Sequence, residues 1–241
     1  MIAVLAEAGE HTAVREFFEL FKTPWEFYRE GSKCSVLICS RNNLPANSAK
    51  LVLLYDSREN AFDHANGVRV RSGHSGAMLS RGGNRIPIYG DCLALAASGA
   101  SEVLHESSGE PASVAIASGG QQIVRIGFDL FREVQHLLTL GQPAGHAQIP
   151  TLELHIAWLR DLILGYSLPL VEIPPVPMAH TFIACLTHDM DHIGIRNHKF
   201  DHTMFGFLYR ATVGSVLDFC QGRKTLRQWG ANWLAALKLP L

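Results

Sequence analysis

Leu51-Val52-Leu53-Leu54-Tyr55, closed by Asp56-Ser57, is apolar at every position, and so is Ser35-Val36-Leu37-Ile38-Cys39 upstream of it, apart from its first residue. A strand with one wet face alternates apolar and polar residues. A continuous apolar run suits a strand covered on both faces, as in a parallel sheet. Working outward, His11 to Tyr28 has helical spacing in Val14, Phe17, Phe18, Leu20, Phe21 and Trp25, with Pro24 as an interruption. Arg58 to Asn84 is polar and carries Gly67, Gly73, Gly76, Gly82 and Gly83, which predicts mostly loop. Ile86-Pro87-Ile88-Tyr89-Gly90 reads as a third short strand ending in a turn. Ser113–Ala117 and Gln122–Ile126 flank Gly119-Gly120 and predict a hairpin. Two helices follow, over Asp129–Leu140 and Thr151–Leu164. Strands alternating with helices predict an α/β fold of three layers to about residue 166.

Beyond that the composition shifts. Residues 167–180 include Pro169, Pro174, Pro175 and Pro177, a density that stops helices and stiffens an extended connector. The sequence therefore predicts a domain over 1–166, a linker over 167–180 and a second segment over 181–241. In that segment Phe182-Ile183-Ala184-Cys185-Leu186 reads as a buried strand. It would deliver Thr187-His188-Asp189-Met190-Asp191-His192 at its carboxyl end, where α/β folds place functional groups. Helices are expected over Thr203–Phe219 and Leu226–Leu237.

The bulk numbers exclude several classes. The 241 residues carry a net charge of −1, so no global field attracts nucleic acid or acidic lipid. No apolar run reaches the ~18 residues of a membrane helix, and Met1–Ala6 is too short for a signal core. The five cysteines, Cys34, Cys39, Cys92, Cys185 and Cys220, are odd in number and form no C-x-x-C pair, which predicts reduced thiols in a cytoplasmic protein. Histidine stands out: five of the 12 lie between His180 and His202.

Asp189 and Asp191 are two carboxylates one residue apart. Like charges so close ionise together only with a cation or donors nearby. A divalent metal supplies that cation and lowers the pKa of a bound water. His188, His192, His198 and His202 offer imidazole donors, and His198 and His202 have the i, i+4 spacing of one helical face. The same residue types also make Asx-turns and helix caps without any metal.

The run Leu186–His192 resembles the first motif of the polysaccharide deacetylase family (carbohydrate esterase family 4, the NodB-homology domain). The resemblance implies that Asp189 is the catalytic base and Asp191 a metal ligand, with His188 and His192 as further candidates. It implies a divalent cofactor, usually zinc, and hydrolysis of N- or O-acetyl groups on an acetylated carbohydrate. The family's fold is a distorted (β/α) barrel, of which residues 181–241 would be the first βα unit. The family's second, histidine-bearing motif has no counterpart, because no histidine follows His202. The expectation is thus an incomplete barrel and a chain that is catalytically incomplete alone.

The front segment is similar to a degenerate glutamine-amidotransferase-like (flavodoxin-type) domain. Gly90-Asp91-Cys92-Leu93-Ala94 after a predicted strand suggests an elbow presenting a nucleophilic thiol, although Ala94 replaces the second glycine and Cys92 equally suits a buried core position. A cysteine amidase centred on Cys92 and a non-catalytic binding or scaffold module are the two alternatives to the deacetylase. Trp229 and Trp233 lie i, i+4 apart, and without a barrel to cover them the late helices would expose an apolar patch, so homo-oligomerisation is expected.

Overall fold

The structure, a computed structural model, describes residues 1–81, 83–106, 109–174, 176–177, 179–187, 198 and 200–238. The chain divides into two compact units, Met1–Ala179 and His180–Leu241.

In the first unit β1 (Ile2–Leu5), α1 (His11–Phe21) and β2 (Trp25–Phe27) are followed by β3 (Val36–Cys39), β4 (Leu51–Tyr55) and α2 (Ala61–Asn66). Then come β5 (Arg69–Ser75), β6 (Met78–Arg81), β7 (Asn84–Pro87), β8 (Asp91–Ala96), β9 (Ser101–Glu106), β10 (Pro111–Ser118) and β11 (Gln121–Ile126). Helices α3 (Leu130–Thr139) and α4 (Thr151–Gly165) complete the unit. Among the described residues nine strands form one mixed sheet, ordered β2-β1-β3-β4-β11-β10-β9-β6-β7, and β5 pairs with β8 apart from it. The first five are parallel and the rest antiparallel. The parallel half has the order of a doubly wound sheet, reversing between β1 and β3.

The continuous apolar runs behave as read. Val36, Ile38, Leu51, Leu53 and Tyr55 enter one core with Phe17, Phe18, Phe21, Phe131 and Leu159, from α1, α3 and α4. Leu37 and Val52, the alternate residues, enter a second cluster with Ala3, Ala49 and Ile123. Helices α1, α3 and α4 share one face, and the short α2 lies against the other through Phe62. Tyr28, Leu44 and Phe62 pack on the second cluster, while Val68, Leu93 and Leu95, from the β5–β8 ribbon and its approach, pack on Val114 of β10. The ribbon exists because residues 58–84, expected to be loop, form α2, β5 and β6, and because Cys92 lies within a strand.

Two local features explain other departures. Lys22 adopts φ 57° and closes α1 with its N–H on the Phe18 carbonyl. The chain reverses there, so Trp25, which the spacing assigned to the helix, pairs with Ile2 as a strand residue and stacks on Phe18 at 4.8 Å. The β10–β11 hairpin forms as expected. Gly119 and Gly120 have φ 57° and 81°, the two positive values that a two-residue turn of the primed type requires. Residues 168–173 belong to the first unit by contact. Thr23 Oγ1 donates to the Val171 carbonyl at 2.7 Å, Ile173 N to Lys22 O at 2.9 Å, and Arg160 Nε to both Glu172 oxygens at 2.9 Å.

The second unit contains α5 (His202–Tyr209), a π-helical turn over Arg210–Gly214, α6 (Ser215–Cys220) and α7 (Leu226–Leu237). Helix α7 opens with a capping box in which Thr225 and Gln228 bond each other's backbone N–H. Asn232 Nδ2 donates to Ser215 Oγ at 3.0 Å, and Trp229 packs on Phe219 at 5.8 Å. The buried strand expected over Phe182–Leu186 does not form: the segment is unpaired and exposed, with Phe182 at 74% and Leu186 at 90%. Among the described residues, then, the second unit has no strand of a βα barrel unit. An apolar run becomes a strand only where a sheet edge receives it.

Candidate functional site

Of the residues singled out in the sequence, His188, Asp189, Asp191 and His192 lie outside the described residues. His198 and His202 are described, and they do not share a helical face. Phe200 between them has φ 58°, and α5 starts only at His202, so the expected i, i+4 pair is broken by the turn. Asp201 is the cap. Its Oδ1 accepts from Thr203 N at 2.9 Å and Met204 N at 3.0 Å, and its Oδ2 meets His198 Nδ1 at 2.7 Å. The backbone N–H of Met204, and then His198, hold this carboxyl below its usual range. A carboxylate on one imidazole nitrogen fixes the orientation of the ring. Among the described residues no three His, Cys, Asp or Glu side chains converge on a metal position.

Cys92 is not on an elbow. It sits in β8, fully buried, with His74 opposite it in β5. His74 Nε2 stands 3.3 Å from Glu106 Oε2, so the residue types of a Cys–His–Glu amidase lie close together. Their electrostatics oppose catalysis. Burial first, then the Glu106 and Glu133 carboxylates, push the Cys92 thiol up to about 12, whereas a nucleophilic thiol needs positive neighbours. Cys92 thus occupies the buried core position that the sequence also allowed. All five cysteines are free thiols.

The sequence reading missed the carboxyl edge of the parallel sheet. Glu7 and Glu10 follow β1, Ser40 and Arg41 follow β3, Asp56 follows β4 and Asp129 follows β11. Glu10, Asp56 and Asp129 are all buried. Ser40 Oγ donates to Glu10 Oε2 at 2.6 Å, and Arg132 Nε stands 3.1 Å from Asp129 Oδ2 and 3.7 Å from Glu10 Oε1. Burial, and then the Glu10 carboxylate, push Asp129 up to about 7. Asp129 can thus exchange a proton near neutrality. Two clefts open here. One of about 610 Å³ is lined by Glu7, Tyr28, Glu30, Arg41 and Asn42, and one of about 590 Å³ by Glu7, Glu10, Arg132 and His136. Both lie within the size range of small-ligand sites, at the crevice where the strand order reverses. Glu7 and Glu10 form a capping box on the turn before α1, so the chain's own carboxylates occupy the helix end that a phosphate would take. The signal was available: each parallel run is followed within three residues by a polar or charged side chain.

No family model matches the chain, and no curated protein matches it in sequence. Solved structures share weak similarity with it. Gan42B, a GH42 β-galactosidase from G. stearothermophilus, aligns over 69% of this chain and 30% of its own, with 11% identity and TM-score 0.45. Op5Man5, an exo-β-1,4-mannosidase from Opitutaceae bacterium strain TAV5, aligns over 72% and 36%, with 9% identity and TM-score 0.45. Agd3, a carbohydrate deacetylase, aligns over 58% and 32%, with 7% identity and TM-score 0.39. The chain thus spans about a third of the length of these carbohydrate-processing enzymes.

Proposed function

We propose that the chain is part of a metal-dependent carbohydrate deacetylase whose hydrolytic groups lie in the second unit and whose first unit is accessory. The observation that carries this reading is the run His188-Asp189-Met190-Asp191-His192. It gathers oxygen and imidazole donors of the kind that hold zinc or a similar divalent ion, while Cys92, the nucleophile considered in the first unit, is buried and its thiol pKa is raised. A divalent ion bound there supplies a water of lowered pKa. In this reading Asp191 holds the ion, with His188 and His192 as further donors, and Asp189 takes the proton of the attacking water. His198, oriented by Asp201, and His202 are weaker candidates.

Elemental analysis of the dialysed chain beside Asp191→Ala tests the site. Stoichiometric metal in the wild type that disappears in the variant supports the proposal. Metal absent from both, or unchanged by the substitution, removes it.

A binding module without chemistry is the second reading. It is favoured by the two clefts at the carboxyl edge of the sheet, where the buried Glu10 and Asp129 adjoin Arg132 and the exposed Glu7 adjoins Arg41. Acetate release from acetylated sugars by the metal-loaded chain would exclude it, and would equally overturn the expectation that this chain is catalytically incomplete alone.

A further inference from the structure

The net charge of −1 conceals an uneven distribution. Residues 203–241 contain five basic residues and a single acidic one. Lys224 pairs with that acid, Asp218, at 3.0 Å. Arg210, Arg223, Arg227 and Lys238 make no ion pair among the described residues.

Helix α7 combines this charge with an uncovered apolar face. At 100° per residue, Leu226, Trp233, Leu234 and Leu237 fall within an arc of about 100°. They are exposed: Leu226 by 66%, Leu234 by 52% and Leu237 by 78%. Arg227 and Lys238 border the arc beside Leu234. The helix is held to the rest of its unit on a different side, through Asn232 on Ser215 and Trp229 on Phe219. Before it, Phe205, Tyr209, Val213 and Leu217 recur every fourth position along α5, the π turn and α6, and all four are exposed.

We propose that α7 docks on an anionic lipid surface, lying in the interface with Leu226, Trp233, Leu234 and Leu237 in the acyl boundary and Arg227, Lys238 and Arg223 among the headgroups. An apolar arc with Trp and Leu, bordered by Lys and Arg on a helix too short to span, is the pattern of an interfacial helix. Charge complementarity selects the occupant. A negative surface rewards every unpaired cation at the border. A second copy of the chain, meeting the same face across a two-fold axis, would set Arg227 and Lys238 against their own equivalents. The proposal does not depend on a metal at Asp189 and Asp191.

The test is sedimentation of the full chain with phosphatidylcholine vesicles, with and without phosphatidylserine, alongside the part of the tryptophan quenching by brominated lipid that is lost in Trp233→Phe. Partition onto the anionic vesicles is expected, falling as salt rises. Arg227→Glu with Lys238→Glu is expected to lower it on the order of tenfold or more, and Arg227→Gln less. Leu234→Ser should also lower it, with thermal transitions of all variants as the check on folding. Asp191→Ala should leave it unchanged. Absence of partition overturns the proposal, as does equal, salt-insensitive partition onto neutral vesicles. A dimer lost in the same variants, without vesicle binding, assigns the face to a second copy instead.

Discussion

Arg125 of β11 and Asp63 of α2 are joined by two hydrogen bonds, Nε to Oδ1 at 2.9 Å and Nη2 to Oδ2 at 3.0 Å, and both side chains are fully buried. Arg125 also donates to the carbonyls of Asp56, Arg58 and Ile126. One guanidinium thus ties the last parallel strand to the polar turn after β4, which carries Asp56 of the candidate site. Asp63 in turn accepts from Asn60 N at 3.1 Å and caps its own helix.

Removing one partner leaves the other charge buried and alone. Arg125→Met or Asp63→Leu should each destabilise the first unit by about 3–5 kcal/mol. The double replacement should cost much less than the sum of the two. Urea denaturation of the three variants gives the coupling, and additive losses would show that the pair does not act as a unit.

Gly127 is expected to be intolerant for a different reason. A Cβ there would stand 2.2 Å from the Leu93 carbonyl oxygen, because Leu93 N donates to Gly127 O at 2.8 Å and draws the β8 ribbon against the chain leaving β11. Gly127→Ala should lower stability by about 1–3 kcal/mol. Gly230→Ala in α7 meets nothing within 4 Å and should stabilise its helix by about 0.4–1 kcal/mol. Melting curves of the two variants should move in opposite directions.

His155 of α4 is fully buried against Phe128 at 5.6 Å, with neither ring nitrogen hydrogen-bonded among the described residues. Burial pushes its pKa down to about 4. The unfolded chain binds a proton near pH 6.5 and the folded chain does not until about 4, so stability is complete above 6.5 and falls as pH drops between those values. His155→Phe should flatten this part of the stability profile. A wild-type slope that survives the substitution would place the titration elsewhere.

Asp129 has the opposite sign. With its folded pKa pushed up to about 7 from an ordinary 3.8, its neutral form is favoured in the folded state. The stabilisation is complete below 3.8 and is lost as pH rises through about 7. Asp129→Asn keeps the cap on α3 and should remove that loss, raising stability at pH 8 relative to the wild type. Equal pH profiles for the two proteins would sink the assignment.

Cys92 should alkylate far more slowly in the folded protein than Cys185 and Cys220, which are exposed. Mass spectrometry of a timed iodoacetamide reaction resolves the thiols. Rapid labelling of Cys92 would revive a nucleophilic role for it.

Much of the first unit was legible in the sequence because its signals are local. A run apolar at every position, such as Leu51–Tyr55, states that both faces are covered wherever the strand lies. Two glycines between β-branched runs state a tight hairpin, and the spacing of Leu130, Val134 and Leu137 states a helix with one buried side. What the tertiary structure decided was pairing. Trp25 has the spacing of a helix but lies beside Ile2 once Lys22 reverses the chain. Cys92 follows a turn like a nucleophile but is drawn into β8 by its pairing with β5. Phe182–Leu186 has a strand's composition and finds no partner strand among the described residues. The carboxylates after β1, β4 and β11 are far apart in the chain, and only the parallel order of the sheet brings Glu10 and Asp129 to one Arg132. Periodicity records which face of an element is apolar; which neighbour covers that face, and which charges are then desolvated together, is settled by long-range packing that no local pattern contains.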